Sequence, residues 1–486
     1  MQKFPPRPAL FTGVAILALC LFHAAASLAQ PPDARLPPAV AAALKAAAIP
    51  ADAVAIHVQE AGATQPRLAI NAAQPMNPAS LMKLVTTFAA LEMLGPAYTW
   101  KTEARVAAPL SDGVLAGDLY LKGSGDPKLS FEQFWLLLRQ LRAQGIREIG
   151  GDLVLDRSLF DLPKPDPAGF DDQPLRPYNV GPDALLVGFK AMRLALQPDA
   201  ATQTLRLTAE PLPANLDIVN LIRLGKNGCG DWKAGLRADV AQRGERFRLV
   251  LTGVYPASCG DKNWQLGLMP HASYAYGVFV QLWRELGGEI KGGVRDGAAP
   301  AEARLAAAIE SPSLAEIVRD INKFSNNVMA RQLYLTLGAE AGKRPARPED
   351  AEAALRAWLA GRGLDFPEMV VENGSGLSRR ERLSAASLGR LLQAAWKSPL
   401  MPEFIASLPL AAVDGTMKKR LNGNGLAGQA HLKTGSLEGA KAIAGYLLDR
   451  SGRYQTVVFI INHSNAQAGQ AAQDALLQWL FEEAGK

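Results

Sequence analysis

The sequence predicts an α+β fold in which an antiparallel sheet with flanking helices is interrupted by a large β-rich insertion. Uneven motif spacing is the first reason. The motifs Ser80-Leu81-Met82-Lys83, Ser325-Asn326-Asn327 and Lys433-Thr434-Gly435-Ser436 need one shared pocket, yet 245 positions separate the first two serines and only 108 separate Ser325 from Lys433. A change of texture is the second, because residues 100–270 read as short strands punctuated by Gly, Pro and Asp. The third is a hairpin near the end, two apolar runs at 442–448 and 454–462 joined by Asp449-Arg450-Ser451-Gly452.

In chain order, residues 1–29 carry Lys3 and Arg7, an apolar stretch over 9–22 and then Ser27-Leu28-Ala29. That pattern reads as a secretory signal cleaved after Ala29, which directs the mature chain to the periplasm. Its apolar stretch is too short for a membrane span, and no later run approaches the roughly twenty apolar residues a span needs. Contact with a membrane is expected to be peripheral at most. Cys20 follows Leu19, where a lipoprotein signal would want a small residue. About 457 residues remain after cleavage, too many for one core, so two or three domains are expected.

The first domain begins with residues 30–99. Asn77-Pro78 reads as an N-cap and first helical position, and Leu81, Leu84, Val85, Phe88 and Leu91 continue at helical spacing. Residues 100–270 form the insertion, with strands at 115–121, 152–155, 193–196, 203–209 and 247–254. A helix over 130–142 starts on a capping box of Ser130 and Gln133. Residues 271–486 complete the first domain, with helices at 272–286, 314–321, 327–337, 349–360 and 388–396 before the hairpin. Lys433 to Ser436 lie just upstream of that hairpin and start an adjacent strand, whose open edge could receive an extended peptide. The Pro-rich stretches 31–38 and 163–167 read as linkers or surface loops.

Composition excludes several functions. Net charge falls from +6 to +4 once Lys3 and Arg7 are removed, and no basic run suggests nucleic acid. His23, His57, His271, His431 and His463 show no paired spacing, so no metal or other cofactor is implied. Outside the signal only Cys229 and Cys259 remain, each beside glycine and thirty residues apart, and in an oxidising compartment they are expected to bridge.

The chemistry lies in the motifs. A serine hydroxyl needs a base within hydrogen-bond reach, and three residues along a helix bring Lys83 to the face of Ser80. Positive charge at the helix start and burial both disfavour the ammonium, pushing Lys83 towards the neutral amine of a general base. Only Ser80 among the serines has a lysine three positions on, and Lys-Thr-Gly occurs once. One such tetrapeptide is weak, but three motifs in this order specify serine acyl transfer. The set is that of penicillin-binding proteins and class A β-lactamases.

The chain closely resembles the DacB-type D-alanyl-D-alanine carboxypeptidases/endopeptidases, the low-molecular-mass class C penicillin-binding proteins. Further segments carry the resemblance: Gly117-Asp118-Leu119-Tyr120-Leu121, Tyr178-Asn179-Val180-Gly181-Pro182, Asn373-Gly374-Ser375-Gly376-Leu377-Ser378-Arg379 and Asp414-Gly415-Thr416-Met417. It implies a serine β-lactamase/penicillin-binding-protein-like transpeptidase fold that acts on peptidoglycan stem peptides and cross-links and is acylated by β-lactam antibiotics. By that resemblance Ser80 attacks the D-alanyl carbonyl, Lys83 takes its proton and Ser325 passes a proton to the leaving amine. Asn327 would bind substrate backbone, and Lys433 with Thr434 the terminal carboxylate. The N–H groups of Ser80 and Ser436 would form the oxyanion hole, worth about 3 kcal/mol per donor. Arg379 could meet a charged stem side chain, and Asp171, Asp172 and Tyr178 could reach the pocket from the insertion to read a diaminopimelate amine. Asn373 stands where aspartate is expected.

Two other readings compete. A secreted serine β-lactamase shares the acyl-enzyme chemistry, but the large insertion argues against it. An inactive wall-binding or penicillin-sensing module would have no need of nucleophile and base together.

Overall fold

A computed structural model of the protein describes residues 35–199, 201–423 and 425–483. The expected secretory signal lies outside the described residues. Five antiparallel strands form the principal sheet, in the order Ala430–Leu437, Ala440–Leu448, Tyr454–Asn462, Val54–Glu60, Leu68–Ile70. The strand bearing Lys433 is therefore an edge, in register with its neighbour through Lys433 opposite Ala444 and Thr434 opposite Ile443. The hairpin strands are buried along nearly their whole length, as strands covered on both faces must be. Helix Ala385–Lys397 packs on Tyr454–Asn462 and Val54–Glu60, and helix Gln470–Glu483 packs on Ala440–Leu448.

Beside the sheet, helices Met82–Leu94, Leu314–Phe324 and Asn327–Glu340 bury Leu84, Val85, Phe88, Ile317, Ile321, Met329 and Leu333 in one apolar cluster with Ala442 and Ala444 of the sheet. The expected N-cap at Asn77 is corrected by the backbone. Asn77 Oδ1 does accept the Ala79 N–H at 2.9 Å, but Ala79–Leu81 form a 3₁₀ turn and the α-helix starts only at Met82. Ser80 thus sits in a tight turn ahead of the helix. The preceding Ala79 is held at φ +46°, a conformation rare for a residue with a Cβ.

The second apolar cluster belongs to the insertion. Helix Phe131–Ala143 begins on the Ser130/Gln133 capping box and buries Phe134, Leu137, Leu138 and Leu141 in one cluster with Leu249 and Leu251. Four further sheets surround it, two of three strands, one of four and one of five. The expected strand at 115–121 is two strands, Val114–Leu115 and Leu119–Lys122, which join different sheets on either side of Gly117. Helix His271–Glu285 and strand Arg304–Glu310 also enter this cluster, through Phe279, Trp283 and Ile309. The second cluster thus runs past residue 270, since His271–Glu285 packs on helix Phe131–Ala143 and on strands Glu289–Ile290 and Val294–Asp296.

The insertion is keyed to the first core by hydrogen bonds. Buried Gln332 accepts the Asp183 N–H at 2.9 Å and donates to the Asp183 carbonyl at 2.8 Å, with both groups shielded from water. That contact fixes the 170–183 segment over the start of helix Asn327–Glu340. Cys229 and Cys259 form a disulfide with Cα atoms 4.8 Å apart.

Candidate active site

The three motifs converge. Lys83 Nζ lies 3.1 Å from Ser80 Oγ, donates to Asn327 Oδ1 at 2.6 Å and also donates to the Ser375 carbonyl. Its side chain is fully buried. Burial lowers its pKa well below the usual lysine range, positive Lys433 lowers it further, and Glu381 opposes both.

Lys433 is equally buried, and its Nζ donates to Ser325 Oγ at 2.8 Å and to the Thr434 carbonyl at 2.7 Å. Burial brings its pKa down to about 7. Ser325 ends helix Leu314–Phe324 in the left-handed region at φ +55°, its N–H bonded to the Ile321 carbonyl, and this turn places its hydroxyl between the motif strand and Asn327. Asn326, at the N-cap of the next helix, accepts the Met329 N–H at 3.1 Å and leaves Asn327 free to face Lys83.

The motif strand lies directly against the nucleophile turn. A Cβ built on Gly435 would sit 3.0 Å from the Pro78 carbonyl oxygen and 3.0 Å from Ser80 N, so a side chain here would push on the turn that carries Ser80. Thr434 Oγ1 bonds Thr416 Oγ1 at 2.8 Å, bringing the Asp414–Met417 segment to the site. The Ser436 hydroxyl, by contrast, is occupied by Gln467 Oε1 at 2.8 Å.

The remaining expected contacts divide. Arg379 donates to the carbonyl and to Oε2 of Glu438, both at 2.9 Å, and its guanidinium lies 4.9 Å from the Phe170 ring centroid. It therefore bridges the Gly-Ser-Gly loop, the end of the motif strand and the insertion. Tyr178 lines a cleft of about 490 Å³ together with Ser325 and Asn327, and its hydroxyl donates to Asp171 Oδ2 at 2.7 Å. Asp172 is exposed, adopts φ +55° and does not line that cleft.

One residue with a clear structural task was missed by sequence reasoning. Glu381 is fully buried, and its Oε1 accepts the N–H groups of Glu372, Asn373 and Gly374 at 3.1–3.2 Å. It thereby holds the loop whose Ser375 carbonyl receives Lys83. Burial raises its pKa while the three amides and Lys83 oppose that rise. The available signal was Asn373, where the resemblance expects aspartate. Among the described residues no group of His, Cys, Asp and Glu could hold a metal ion.

A serine and a buried lysine joined at an antiparallel sheet edge, with a second serine–lysine pair facing them, make an arrangement suited to serine hydrolase chemistry. Residues 36–483 match the D-Ala-D-Ala carboxypeptidase 3 (S13) family, and the protein belongs to it. It is 30% identical to a D-alanyl-D-alanine carboxypeptidase of Actinomadura sp. (strain R39), over 99% of this chain and 91% of that one. Against D-alanyl-D-alanine carboxypeptidase DacB of Haemophilus influenzae, identity is 25% over 79% of this chain and 80% of the relative. The solved penicillin-binding protein 4 (dacB) of Haemophilus influenzae shares the fold, with a TM-score of 0.76 at 24% identity, covering 90% of this chain and 98% of that one. The protein is accordingly a serine hydrolase of the D-Ala-D-Ala carboxypeptidase class.

Proposed function

We propose that the protein is an exported enzyme that removes the terminal D-Ala of peptidoglycan stem peptides, also cuts D-alanyl cross-links, and works through a Ser80 acyl-enzyme. The observation that carries this reading is the 3.1 Å approach of a fully buried Lys83 amine to Ser80 Oγ. A buried amine kept towards its neutral form can take the hydroxyl proton as Oγ attacks the D-alanyl carbonyl.

The steps follow from the surrounding groups. The C–O bond forms while the carbonyl oxygen gains charge, which the N–H groups of Ser80 and Ser436 receive at the junction of turn and motif strand. Ser325 then relays a proton to the leaving amine as the C–N bond breaks, and water reverses the sequence to release the acyl product. Asn327 holds substrate backbone, and Lys433 with Thr434 takes the terminal carboxylate. Arg379 and Tyr178 are proposed to border the stem peptide. Asp172, facing solvent, would act only at the rim. Among the described residues no helix is long and apolar enough to cross a membrane.

Two solved relatives support the finer points. The Haemophilus influenzae protein has been solved with a β-lactam, at a TM-score of 0.73. A predatory peptidoglycan endopeptidase from Bdellovibrio bacteriovorus shares the fold at a TM-score of 0.50.

Intact-protein mass spectrometry after mixing with benzylpenicillin tests the reading. A long-lived adduct of one drug molecule is expected on the wild type and none on Ser80→Ala. Drug destroyed without an adduct would indicate a β-lactamase, and drug left intact without an adduct would indicate an inactive module.

A further inference from the structure

The insertion is large, yet the chemistry above draws on it for little. It does share with Ser325 and Asn327 the lining of a cleft of about 490 Å³. The opposite wall comes entirely from the insertion and carries Arg176, Tyr178, Lys233, Asn263 and Gln265.

The charged side chains that line it are both basic, Arg176 and Lys233. Arg176 and Lys233 form no ion pair among the described residues, and no acidic side chain lines the cleft. Two carboxylates adjoin the wall without lining the cleft: Asp171 accepts from the Tyr178 hydroxyl and the Asn179 amide at 2.7 Å each, and Asp231 accepts the Lys233 N–H at 3.2 Å. Two unpaired cations in one concave site concentrate positive potential there and attract anionic groups.

The wall is also ordered in advance. Strand Lys262–Leu266 is the edge of its sheet and alternates, burying Trp264 and Leu266 while presenting Asn263 and Gln265 outward. Trp232 packs edge-on against Tyr255 and Trp264, with centroids 5.7 and 6.3 Å apart, and Lys233 Nζ lies 5.2 Å from the Trp232 ring centroid. The Cys229–Cys259 disulfide ties down the same loop. Carboxamides beside fixed cations suit a peptide, whose backbone needs donors and acceptors as well as charge partners.

Position decides which part of a substrate enters. In the reading above Ser325 protonates the leaving amine, so whatever departs with that amine lies beside Ser325. A single departing D-Ala would leave most of 490 Å³ empty. We infer that this cleft is the subsite for the departing half of a cross-linked substrate, an anionic peptide whose carboxylates are held by Arg176 and Lys233. The inference rests on the proposed endopeptidase activity and gives the insertion a task in it.

The test compares two substrates, a linear pentapeptide ending in D-Ala-D-Ala and a peptide dimer joined by one D-alanyl cross-link. In an Arg176→Ala/Lys233→Ala protein, kcat/KM for the dimer is expected to fall about ten-fold, while pentapeptide trimming and benzylpenicillin acylation stay within about two-fold. Raising the salt concentration with the wild type should depress dimer cleavage preferentially, which needs no variant. Equal loss on both substrates, or no loss on either, overturns the subsite while leaving the endopeptidase reading in place. A wild type that trims the pentapeptide but leaves the dimer whole overturns the endopeptidase reading itself, and the subsite with it.

Discussion

At the scale of single residues, the site depends on cations kept where water cannot reach them. Lys433 has a pKa of about 7 in the fold against 10.5 when exposed. Below about pH 7 it carries a charge and above it the amine is neutral, so if Lys433 takes the terminal carboxylate as proposed, KM for a pentapeptide with a free terminal carboxylate is expected to rise through that pH. Initial rates across pH on the free and amidated peptides would check this, since the amidated peptide should not respond. Between about 7 and 10.5 the unfolded chain binds a proton at this position that the folded chain does not, so this group makes stability increase with pH there. Lys433→Met should therefore stabilise the protein at pH 7, by about 1–4 kcal/mol in chemical denaturation, while weakening pentapeptide binding. Glu381 acts in the opposite sense on Lys83. Glu381→Gln removes a negative charge that raises the Lys83 pKa, so the acidic limb of kcat/KM should move to lower pH. Weaker acceptance of three amides should also cost about 1–3 kcal/mol of stability. The convergence of Ser80, Lys83, Ser325 and Lys433 was legible because their spacing forms recognisable motifs. Glu381 was not, because it sits among Arg379, Arg380 and Arg382 and reads as a surface charge.

At the scale of elements, short-range signals were legible where local chemistry alone decides. The Ser130/Gln133 capping box starts its helix as expected because both partners lie within one turn. The nucleophile turn escaped the sequence because its shape is imposed from outside by two glycine-bearing segments. Gly435 of the motif strand abuts Ser80 N, and a Cβ on Gly376, which has φ +79°, would come 2.0 Å from the Ala79 carbonyl oxygen. Helical periodicity carries no trace of such contacts, so the expected N-cap at Asn77 fell one turn early. The same packing makes Gly376→Ala informative. Backbone strain and collision should displace the Ser80 turn, so benzylpenicillin acylation is expected to slow by on the order of a hundred-fold, with a lower melting temperature. Stopped acylation time courses read by mass spectrometry would measure it, and a wild-type rate would show that the turn holds its shape without this contact.

At the scale of the molecule, motif spacing announced an insertion but not its extent, since helix His271–Glu285 shows its apolar face equally to either core until the partner strands are known. Two separate apolar clusters imply that damage to the inserted core need not reach the nucleophile, provided the Gln332–Asp183 contact survives. The disulfide offers a clean way to test that independence. Cys229 and Cys259 are 30 residues apart and lie wholly within the insertion, so the bridge restricts only the unfolded insertion. Closing a loop of that length is worth about 3–4 kcal/mol by chain entropy. In a Cys229→Ser/Cys259→Ser protein, calorimetry should show a transition lowered by several degrees for the inserted domain, with Ser80 acylation by benzylpenicillin at the wild-type rate. Cross-link cleavage should fall more than pentapeptide trimming, because the freed loop carries Lys233. Acylation that fails together with the inserted domain would mean that the two cores fold as one unit, and that the insertion holds the catalytic groups in place rather than receiving substrate beside them.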